Sequence, residues 1–393
     1  MIQGTIASTV PVDELSKLSL DKNDHTHQKK SNSNEQKEYS IFVSDIIKNL
    51  DKNKAVRVSD PIEIATYSRS HCYEYSVNDK SELGFVSNAT INSFRPTSAT
   101  NNNLLNGYNF GILEEKFSVK NWSLEGLVKS IDYCNDNVEE YRTSKLTGNI
   151  VGFRNSLFKL FMLPYKNRES LDYILQWHEG NLYVINNEDQ DIERKYYPEN
   201  HLKFIYSGFK FENFLINMSN RENREMDNSQ FCTVVKRKFN DISVIIRAEV
   251  DCAIKRNPSS NQYEYVELKT HKYKRHYDFD SNYNAKLFLV WSQCFLANIN
   301  QIIFGLRNNS NFNLIALKKY HRNEVLYYLK QNTPYGSFDE ICTKFYYFIL
   351  NFILTKIGKD DKLWSLKFDS YVGKLTLKQI DSKIGLKNPN LIS

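Results

Sequence analysis

The sequence lacks the features of a membrane protein, a secreted protein or a zinc-binding protein. Its longest apolar run, FYYFILNFIL at 345–354, is about ten residues long and contains Asn351, whereas a membrane span needs about 20. The first residues show no basic stretch followed by an apolar one, so no secretory signal peptide is expected. The six cysteines lie far apart without a C-x-x-C pair, which argues against structural zinc and against disulfides. We therefore expect an intracellular protein with reduced thiols and no membrane association.

The sequence also lacks a strong charge bias. A net charge of +6 on 393 residues is too small to hold nucleic acid by overall charge, so any nucleic-acid site must be local. Residues 20–39 are poor in large apolar side chains, and such a segment cannot bury enough surface to order itself. We predict a disordered tail over residues 1–40 and one domain over residues 41–393.

Helical and strand periodicity both occur after the tail. Apolar spacing predicts helices at 118–134, 152–162, 208–217, 283–299 and 337–356, with strands among them, which indicates a mixed α and β class. Two strands are clear, at 242–254 and 262–270, and the turn-forming run KRNPSSN separates them. Alternation places Glu249 and Asp251 on one face of the first strand, and Glu267 and Lys269 on one face of the second.

The charged faces of these strands suggest a metal site. If the strands form a hairpin centred on the turn, Asp251 lies opposite Tyr265. In the same register Glu249 lies opposite Glu267, so three acids share one face, where like charges repel. Clustered carboxylates suit hard cations such as Mg²⁺ or Mn²⁺. Lys269 would lie beside the ion, which is an arrangement suited to phosphodiester hydrolysis.

An alternative explanation is a solvated, ion-paired hairpin face, which is what most alternating charge forms. Glu212 favours the metal hypothesis, because it lies in the apolar segment SGFKFENFL, where a buried carboxylate is costly unless paired or metal-bound. In KLFLVWSQCFLANI, Lys286 and Gln293 are seven residues apart and share a helix face, which could equally be ordinary surface.

Several short blocks follow one another in a fixed order along the chain. They are EIATYSR (63–69), GFRN (152–155), GFKFE (208–212), QFCTVV (230–235), AEVD (248–251), ELK (267–269), and KLFLVWSQ followed by GLR (286–307). In order and spacing these blocks resemble the decapping exoribonuclease family, the DXO and Rai proteins, and the first block resembles its fungal Rai branch. The resemblance covers most of the chain after the tail.

The resemblance implies an α+β fold of two twisted mixed β-sheets with flanking helices and a core like that of the PD-(D/E)xK nucleases. Residues 41–393 would form one DXO/Rai-type catalytic domain. The implied activity is metal-dependent hydrolysis at RNA 5′ ends in mRNA quality control. Members remove incomplete caps and NAD caps as whole units or release pyrophosphate from 5′-triphosphate RNA, and some digest RNA in the 5′-to-3′ direction.

The resemblance also assigns roles to residues by position. It implies one or two Mg²⁺ or Mn²⁺ ions bound by Glu212, Glu249, Asp251, Glu267 and the Leu268 carbonyl. The implied catalytic residues are Glu249, Asp251, Glu267, Lys269 and Gln293, of which Lys269 and Gln293 contact the scissile phosphate and the attacking water. The implied substrate-binding residues are Arg69, Phe153, Arg154, Asn155 and Cys232, together with Glu249, Lys269 and Gln293. For Arg69 the alternative is an ordinary surface arginine.

The resemblance leaves the branch open. Rai-type members bind and stabilise a nuclear Xrn-type 5′-to-3′ exoribonuclease, whereas DXO-type members act alone. The first hypothesis is therefore an RNA 5′-end hydrolase in the nucleus or, alternatively, the cytoplasm, and the second is a binding partner of an Xrn-type enzyme. A DNA-directed nuclease is a third. The basic runs at 236–238 and 271–279 favour RNA, because together they would form a positively charged channel beside the acids, and the second run alternates positive charge with rings that can stack on bases.

Overall fold

The strand-forming segments assemble into two mixed β-sheets in a computed structural model, which describes residues 37–50, 54–96, 102–187, 197–220, 226–255, 262–274, 281–360 and 362–380. The residues from Lys37 onwards group into one compact unit. Most of the predicted tail lies outside the described residues, so that prediction stays untested there. The first strand begins at Glu38, slightly before the predicted end of the tail.

The strands are numbered along the chain. They are β1 (Glu38–Phe42), β2 (Ile62–Arg69), β3 (Tyr75–Val77), β4 (Phe85–Val86), β5 (Asn149–Phe153), β6 (Leu171–His178), β7 (Asn181–Asn186), β8 (Gln230–Phe239), β9 (Ile242–Glu249), β10 (Cys252–Lys255), β11 (Tyr263–Lys272), β12 (Gln301–Arg307), β13 (Leu314–His321), β14 (Leu363–Asp369) and β15 (Lys374–Ile380). The ten-stranded sheet has the order β1-β15-β14-β6-β7-β5-β9-β8-β2-β3, and the five-stranded sheet has the order β13-β12-β11-β10-β4.

The helices lie on both faces of these sheets. They are α1 (Val43–Lys48), α2 (Asn88–Ser93), α3 (Phe110–Lys116), α4 (Glu125–Asn137), α5 (Glu139–Thr143), α6 (Arg154–Met162), α7 (Glu199–Asn220), α8 (Ser281–Ala297), α9 (Arg322–Asn332) and α10 (Phe338–Lys356), with a short 3-10 helix at Val119–Trp122. No helix among these described segments is long and apolar enough to cross a membrane.

The apolar core has parts on both sides of each sheet. The largest cluster contains side chains of both sheets and of α6, α8 and α10, so these helices join the two sheets. A second cluster places α4 against the ten-stranded sheet, and a third places α7 against the five-stranded sheet. Because β5 is covered on both faces, all five of its residues are buried, and all except Asn149 are apolar or glycine, as expected for a central strand with parallel neighbours.

The predicted strand at 242–254 is two strands, one in each sheet. β9 ends at Glu249 in the ten-stranded sheet, and β10 begins at Cys252 in the five-stranded sheet. The Val250 N–H still donates to the Phe231 carbonyl of β8, at 3.0 Å, whereas the Ala253 N–H donates to the Gly84 carbonyl, at 2.9 Å. The prediction of one continuous strand was wrong because alternation does not show which sheet a residue joins.

The predicted hairpin register was also wrong, by two residues. β10 and β11 are antiparallel, but Ala253, not Asp251, is the partner of Tyr265. Glu249 pairs with Cys232 of β8 rather than with Glu267. A shift of two residues preserves the face on which each side chain lies, so the predicted grouping of acids survives the error. The turn on which the prediction was centred lies outside the described residues.

Helix positions were predicted well and helix ends less well. The helix predicted at 208–217 extends over the whole of α7, so Glu212 lies in mid-helix rather than at a helix start. The segment predicted as one helix at 118–134 is a 3-10 turn followed by α4. The first two residues of the helix predicted at 152–162 belong to β5.

The contact between α7 and β12 gives a test of the packing. Gly305→Ala should lower the free energy of unfolding by about 1 to 3 kcal/mol, because the new Cβ would lie 2.6 Å from Cε2 of the Phe211 ring. Phe211 is fully buried in an apolar cluster, so its ring or the backbone must shift to make room. Urea denaturation of the wild type and the variant measures the loss.

The matched control is Gly208→Ala on the same helix. Nothing lies within 4 Å of a Cβ added there, and replacing a glycine inside a helix stabilises it by about 1 kcal/mol. The two variants should therefore shift stability in opposite directions. Equal losses in both would contradict the packing described here.

Candidate active site

The crossing between the sheets brings the predicted acids together. Glu249 ends β9, and Asp251 lies in the two-residue link before β10. The Leu268 N–H donates to Oδ2 of Asp251 at 2.6 Å, which fixes that carboxylate against β11. Glu212 reaches the same place from α7. Three of the four carboxylates predicted to bind metal, Glu212, Glu249 and Asp251, line one cavity.

The cavity wall contains further polar side chains that the sequence alone did not reveal. The carboxylates of Glu82 and Asp227, the amide of Gln230 and the ammonium of Lys116 lie on it, beside the rings of Phe209 and Phe231. Glu82 and Asp227 lie outside helices and strands, where no periodic pattern marks them. Gln230 was inside a block that carried the family resemblance, so that signal was present.

The fourth acid, Glu267, is fully buried and is bound by two cations. Nη1 of Arg154 donates to its Oε2 at 2.6 Å, and Nη2 lies 3.4 Å from its Oε1. The Lys269 ammonium donates to Oε1 as well and lies 3.9 Å from Oδ2 of Asp251. A forked guanidinium and an ammonium thus neutralise this carboxylate from two sides.

Parallel pairing explains why Arg154 is there. β5 and β9 are parallel neighbours, and Phe153 at the end of β5 lies opposite Arg247 of β9. The same ends of parallel strands meet at one edge of a sheet. Arg154, which begins α6 directly after β5, therefore lies at the edge where Glu249 ends β9.

The pKa values divide the acids into two groups. Burial alone would raise the pKa of Glu267, but the charges of Arg154 and Lys269 lower it to about 2. Burial, and then the charge of Glu267, raise the pKa of Asp251 to about 7. Burial and the Asp251 charge raise the pKa of Glu212 well above its usual range. The cavity therefore contains carboxylates whose negative charge the protein compensates only in part.

The donor set fits a hard divalent cation in its chemistry. Carboxylate oxygens are the preferred ligands of such ions, and the uncompensated charge of Glu212 and Asp251 is what a cation would neutralise. Among the described residues, no three His, Cys, Asp or Glu side chains converge closely enough to hold an ion, so Glu212, Glu249 and Asp251 line the cavity without meeting at one point. Glu267 is paired with Arg154 and Lys269, and these pairs would have to loosen for Glu267 to bind an ion.

The remaining predicted site residues lie at different depths. Asn155 follows Arg154 in α6 and is partly buried, whereas Phe153 is buried. Gln293 is partly exposed on α8, one residue before Cys294, whose pKa burial and the charge of Glu267 raise. Leu268 is buried between Glu267 and Lys269. The roles predicted for these residues stay predictions.

Arg69 and Cys232, both predicted to contact substrate, are buried. Arg69 is 1% exposed, so the alternative of an ordinary surface arginine is wrong. Cys232 is fully buried beside Tyr67, and burial raises the pKa of its thiol. Arg247, on the same predicted strand face as Glu249, donates to the Tyr67 hydroxyl and to the Gln230 side chain, each at 2.8 Å.

The basic run at 236–238 does not form the predicted channel beside the acids. Arg237 is buried, with its guanidinium 4.3 Å from the centre of the Phe295 ring and donating to the Phe295 carbonyl. Its role is to satisfy the carbonyl end of α8. Much of the second run, 271–279, lies outside the described residues.

A mixed-sheet core with acids at a strand crossing, followed by an E-x-K strand, defines a nuclease of the PD-(D/E)xK class. Residues 59–391 match the sequence model of the RAI1-like PD-(D/E)XK nucleases, and the chain belongs to that family. The predicted family, the predicted α+β fold and the prediction of a hydrolase are thereby confirmed.

Individual relatives agree with this assignment. The chain is 28% identical over 281 residues to the decapping nuclease RAI1 of Debaryomyces hansenii, a match that covers 64% of this chain and 72% of that protein. It is 28% identical over 226 residues to the decapping and exoribonuclease protein of Bos taurus, covering 55% and 56%. Its fold matches the crystal structure of Candida albicans Rai1 in complex with pU5 and Mn²⁺, with a TM-score of 0.73, 20% identity and coverage of 91% and 97%.

The charge on Asp251 gives a testable consequence for stability. In the presence of a chelator at about pH 8, Asp251→Asn should raise the free energy of unfolding by about 1 to 3 kcal/mol. The variant removes an uncompensated charge but keeps an oxygen that can accept from the Leu268 N–H. Urea denaturation of both proteins measures the gain.

The sign of the pH dependence follows from the pKa of Asp251, which is about 7 in the folded protein and about 3.9 in an unfolded chain. The free energy of unfolding of the wild type therefore rises as the pH falls from about 7 to about 4. The stability advantage of Asp251→Asn over the wild type should shrink over the same range. Glu125→Gln, which removes an exposed pair with Lys129, is the control and should change stability by less than about 0.5 kcal/mol. If the difference in unfolding free energy between Asp251→Asn and the wild type grew toward pH 5, the raised pKa of Asp251 would be contradicted.

Proposed function

We propose that this protein is a divalent-metal-dependent hydrolase that acts on RNA 5′ ends and removes incomplete caps and NAD caps as whole units. The observation that supports this most is the group of Glu212, Glu249 and Asp251 on one cavity, with Glu267 and Lys269 on the strand beside it. The relatives named as decapping nucleases support the choice of substrate.

The proposed roles follow from position and chemistry. Glu212, Glu249, Asp251 and Glu267, with the Leu268 carbonyl, would hold one or two ions, Mg²⁺ or Mn²⁺. The ion supplies a water of lowered pKa and neutralises charge on the phosphate. Lys269 and Gln293 would orient the scissile phosphate and the attacking water, and Arg154 would hold RNA phosphate. With an ion bound to Glu267, Arg154 and Lys269 would bind the phosphate anion in place of that carboxylate.

The open end of the cavity determines which 5′ end is accepted. Its wall combines the rings of Phe209 and Phe231 with polar side chains, a composition suited to a planar base and its sugar. Cap removal, NAD-cap removal and pyrophosphate release from 5′-triphosphate RNA would differ only in the linkage placed over the ion. The same chemistry at successive linkages would give 5′-to-3′ digestion.

The activity is tested with purified protein and RNA carrying either an unmethylated cap or an NAD cap. With Mg²⁺ or Mn²⁺ we expect release of the intact cap unit, identified by mass spectrometry. Asp251→Ala should reduce the rate by about 10³-fold or more, because one ion ligand is lost. Glu125→Gln, an exposed carboxylate on α4, should retain the wild-type rate. Full activity in Asp251→Ala would exclude the proposed site.

A panel of RNAs with 5′-monophosphate, 5′-triphosphate, cap and NAD ends, assayed in parallel with matched single-stranded DNA, then ranks the substrates. Hydrolysis of the DNA at the RNA rate would favour a general nuclease of this class.

A second proposal is that the chain binds and stabilises an Xrn-type 5′-to-3′ exoribonuclease in the nucleus. The family contains proteins named RAI1 among the relatives of this chain, and the sequence resemblance ties that branch to such a partner. Affinity purification of the tagged chain tests the interaction, and imaging of the tagged chain tests nuclear against cytoplasmic localisation. Recovery of no exoribonuclease would leave the hydrolase as the sole function supported.

A further inference from the structure

Arg69 lies at the centre of a buried hydrogen-bond network beside the acidic cavity. Its Nη2 donates to Oδ1 of Asn121 at 2.7 Å and to the backbone carbonyl of Asn228 at 2.6 Å. Asn121 and Asn228 are themselves at least nine-tenths buried. One guanidinium therefore connects two segments that are distant from each other in the sequence.

The first segment is the end of α3. The Asn121 side chain donates to the carbonyls of Glu115 and Lys116, at 3.0 and 2.8 Å. These carbonyls belong to the last turn of the helix, where carbonyl groups have no N–H donor within the helix itself. Lys116 lines the acidic cavity, so Asn121 connects that part of the wall to Arg69.

The second segment is the approach to β8. Asn228 lies between Asp227 and Ser229, both of which line the cavity, and the Ser229 N–H donates to Asp227 Oδ1 at 2.8 Å. Gln230, the next lining residue, is the strand partner of Arg69 in the pairing of β2 with β8. Arg69 thus holds this wall through a direct hydrogen bond and through the sheet.

Tyr73 contacts both Arg69 and Asn228, and its backbone is strained. Its φ is 65°, a left-handed conformation that is rare for a bulky residue and persists only where surrounding contacts hold it. Its ring centre lies 5.0 Å from Cζ of Arg69, and its hydroxyl accepts from Nδ2 of Asn228 at 3.3 Å. Strain of this kind is typical of functional sites.

We propose that Arg69 is a positioning residue, which fixes the Lys116 wall and the Asp227 to Gln230 wall relative to each other and so sets the shape of the cavity for the RNA 5′ end. Both hydrogen bonds come from Nη2, whose two N–H groups point at the two acceptors within the guanidinium plane, whereas the tetrahedral ammonium of lysine does not match that planar geometry. The expected change in KM for RNA rests on the proposed function, whereas the expected fixing of the two cavity walls does not.

The kinetic test compares Arg69→Ala, Asn121→Ala and the double variant on capped RNA. Each single change should raise KM about tenfold, the value for one lost hydrogen bond to a charged group, with kcat within about twofold of wild type. Because both act through one network, the double variant should be no worse than Arg69→Ala alone. Arg69→Lys should not restore KM. Asn228→Ala keeps the backbone carbonyl and should raise KM less than Asn121→Ala does.

A direct contact between Arg69 and RNA predicts a different pattern. In that case Arg69→Ala raises KM while Asn121→Ala leaves it unchanged, and this result would overturn the proposal. Asn137→Ala is the matched control, since its side chain donates to a carbonyl at the exposed end of α4, and it should match the wild type. Thermal unfolding identifies any variant that fails to fold, and Asn121→Ala then carries the test.

Hydrogen exchange followed by mass spectrometry gives a readout that needs no catalysis. Arg69→Ala should accelerate exchange at least tenfold in peptides covering 113–121 and 226–231 together, while Asn137→Ala should leave both unchanged. If the wild type hydrolyses no RNA and exchange still accelerates in both peptides, the proposed function fails and the positioning role stands. If RNA is hydrolysed and exchange is unaltered, the positioning role fails.

Discussion

One strand of backbone passes from the ten-stranded sheet to the five-stranded sheet at Val250 and Asp251, and the site depends on that crossing. The chain is hydrogen-bonded to β8 just before the crossing and to the β4 region just after it. Neither β9 nor β10 can shift without breaking hydrogen bonds in its own sheet. Glu249 is therefore held at the end of β9 and Asp251 just before the start of β10, and both line one cavity.

Charge compensation is unequal across this arrangement. Arg154 and Lys269 lower the pKa of Glu267, whereas burial and neighbouring carboxylates raise the pKa values of Glu212 and Asp251. A fold that only required stability would replace such groups, since unpaired buried charge is costly. Their position at a cavity, rather than in the apolar core, is typical of a site where a ligand supplies the compensating charge.

Local patterns in the sequence revealed which residues form the site, and they failed wherever a second partner strand or a distant segment decides the structure. Alternation placed Glu267 and Lys269 on one face of their strand. This placement is correct although the predicted register is wrong by two residues, because a shift of two residues leaves each side chain on the same face. The same alternation continued through Asp251 and concealed the change of sheet. Arg237 looked like part of an exposed basic run, but α8, far along the chain, covers it. The contacts of Arg69 join residues 52 and 159 positions away, and no local pattern encodes such distances.

The pairing of β1 with β15 has a consequence for how the protein can be joined to others. Glu38 and Lys378 are partners at the far edge of the ten-stranded sheet, six strand positions from β9, which at about 4.8 Å per strand is roughly 30 Å. Both ends of the described domain thus leave from one edge, remote from the acids. A partner domain or a fluorescent label joined directly to the start of β1 or the end of β15 would therefore attach at this one edge rather than beside the acids.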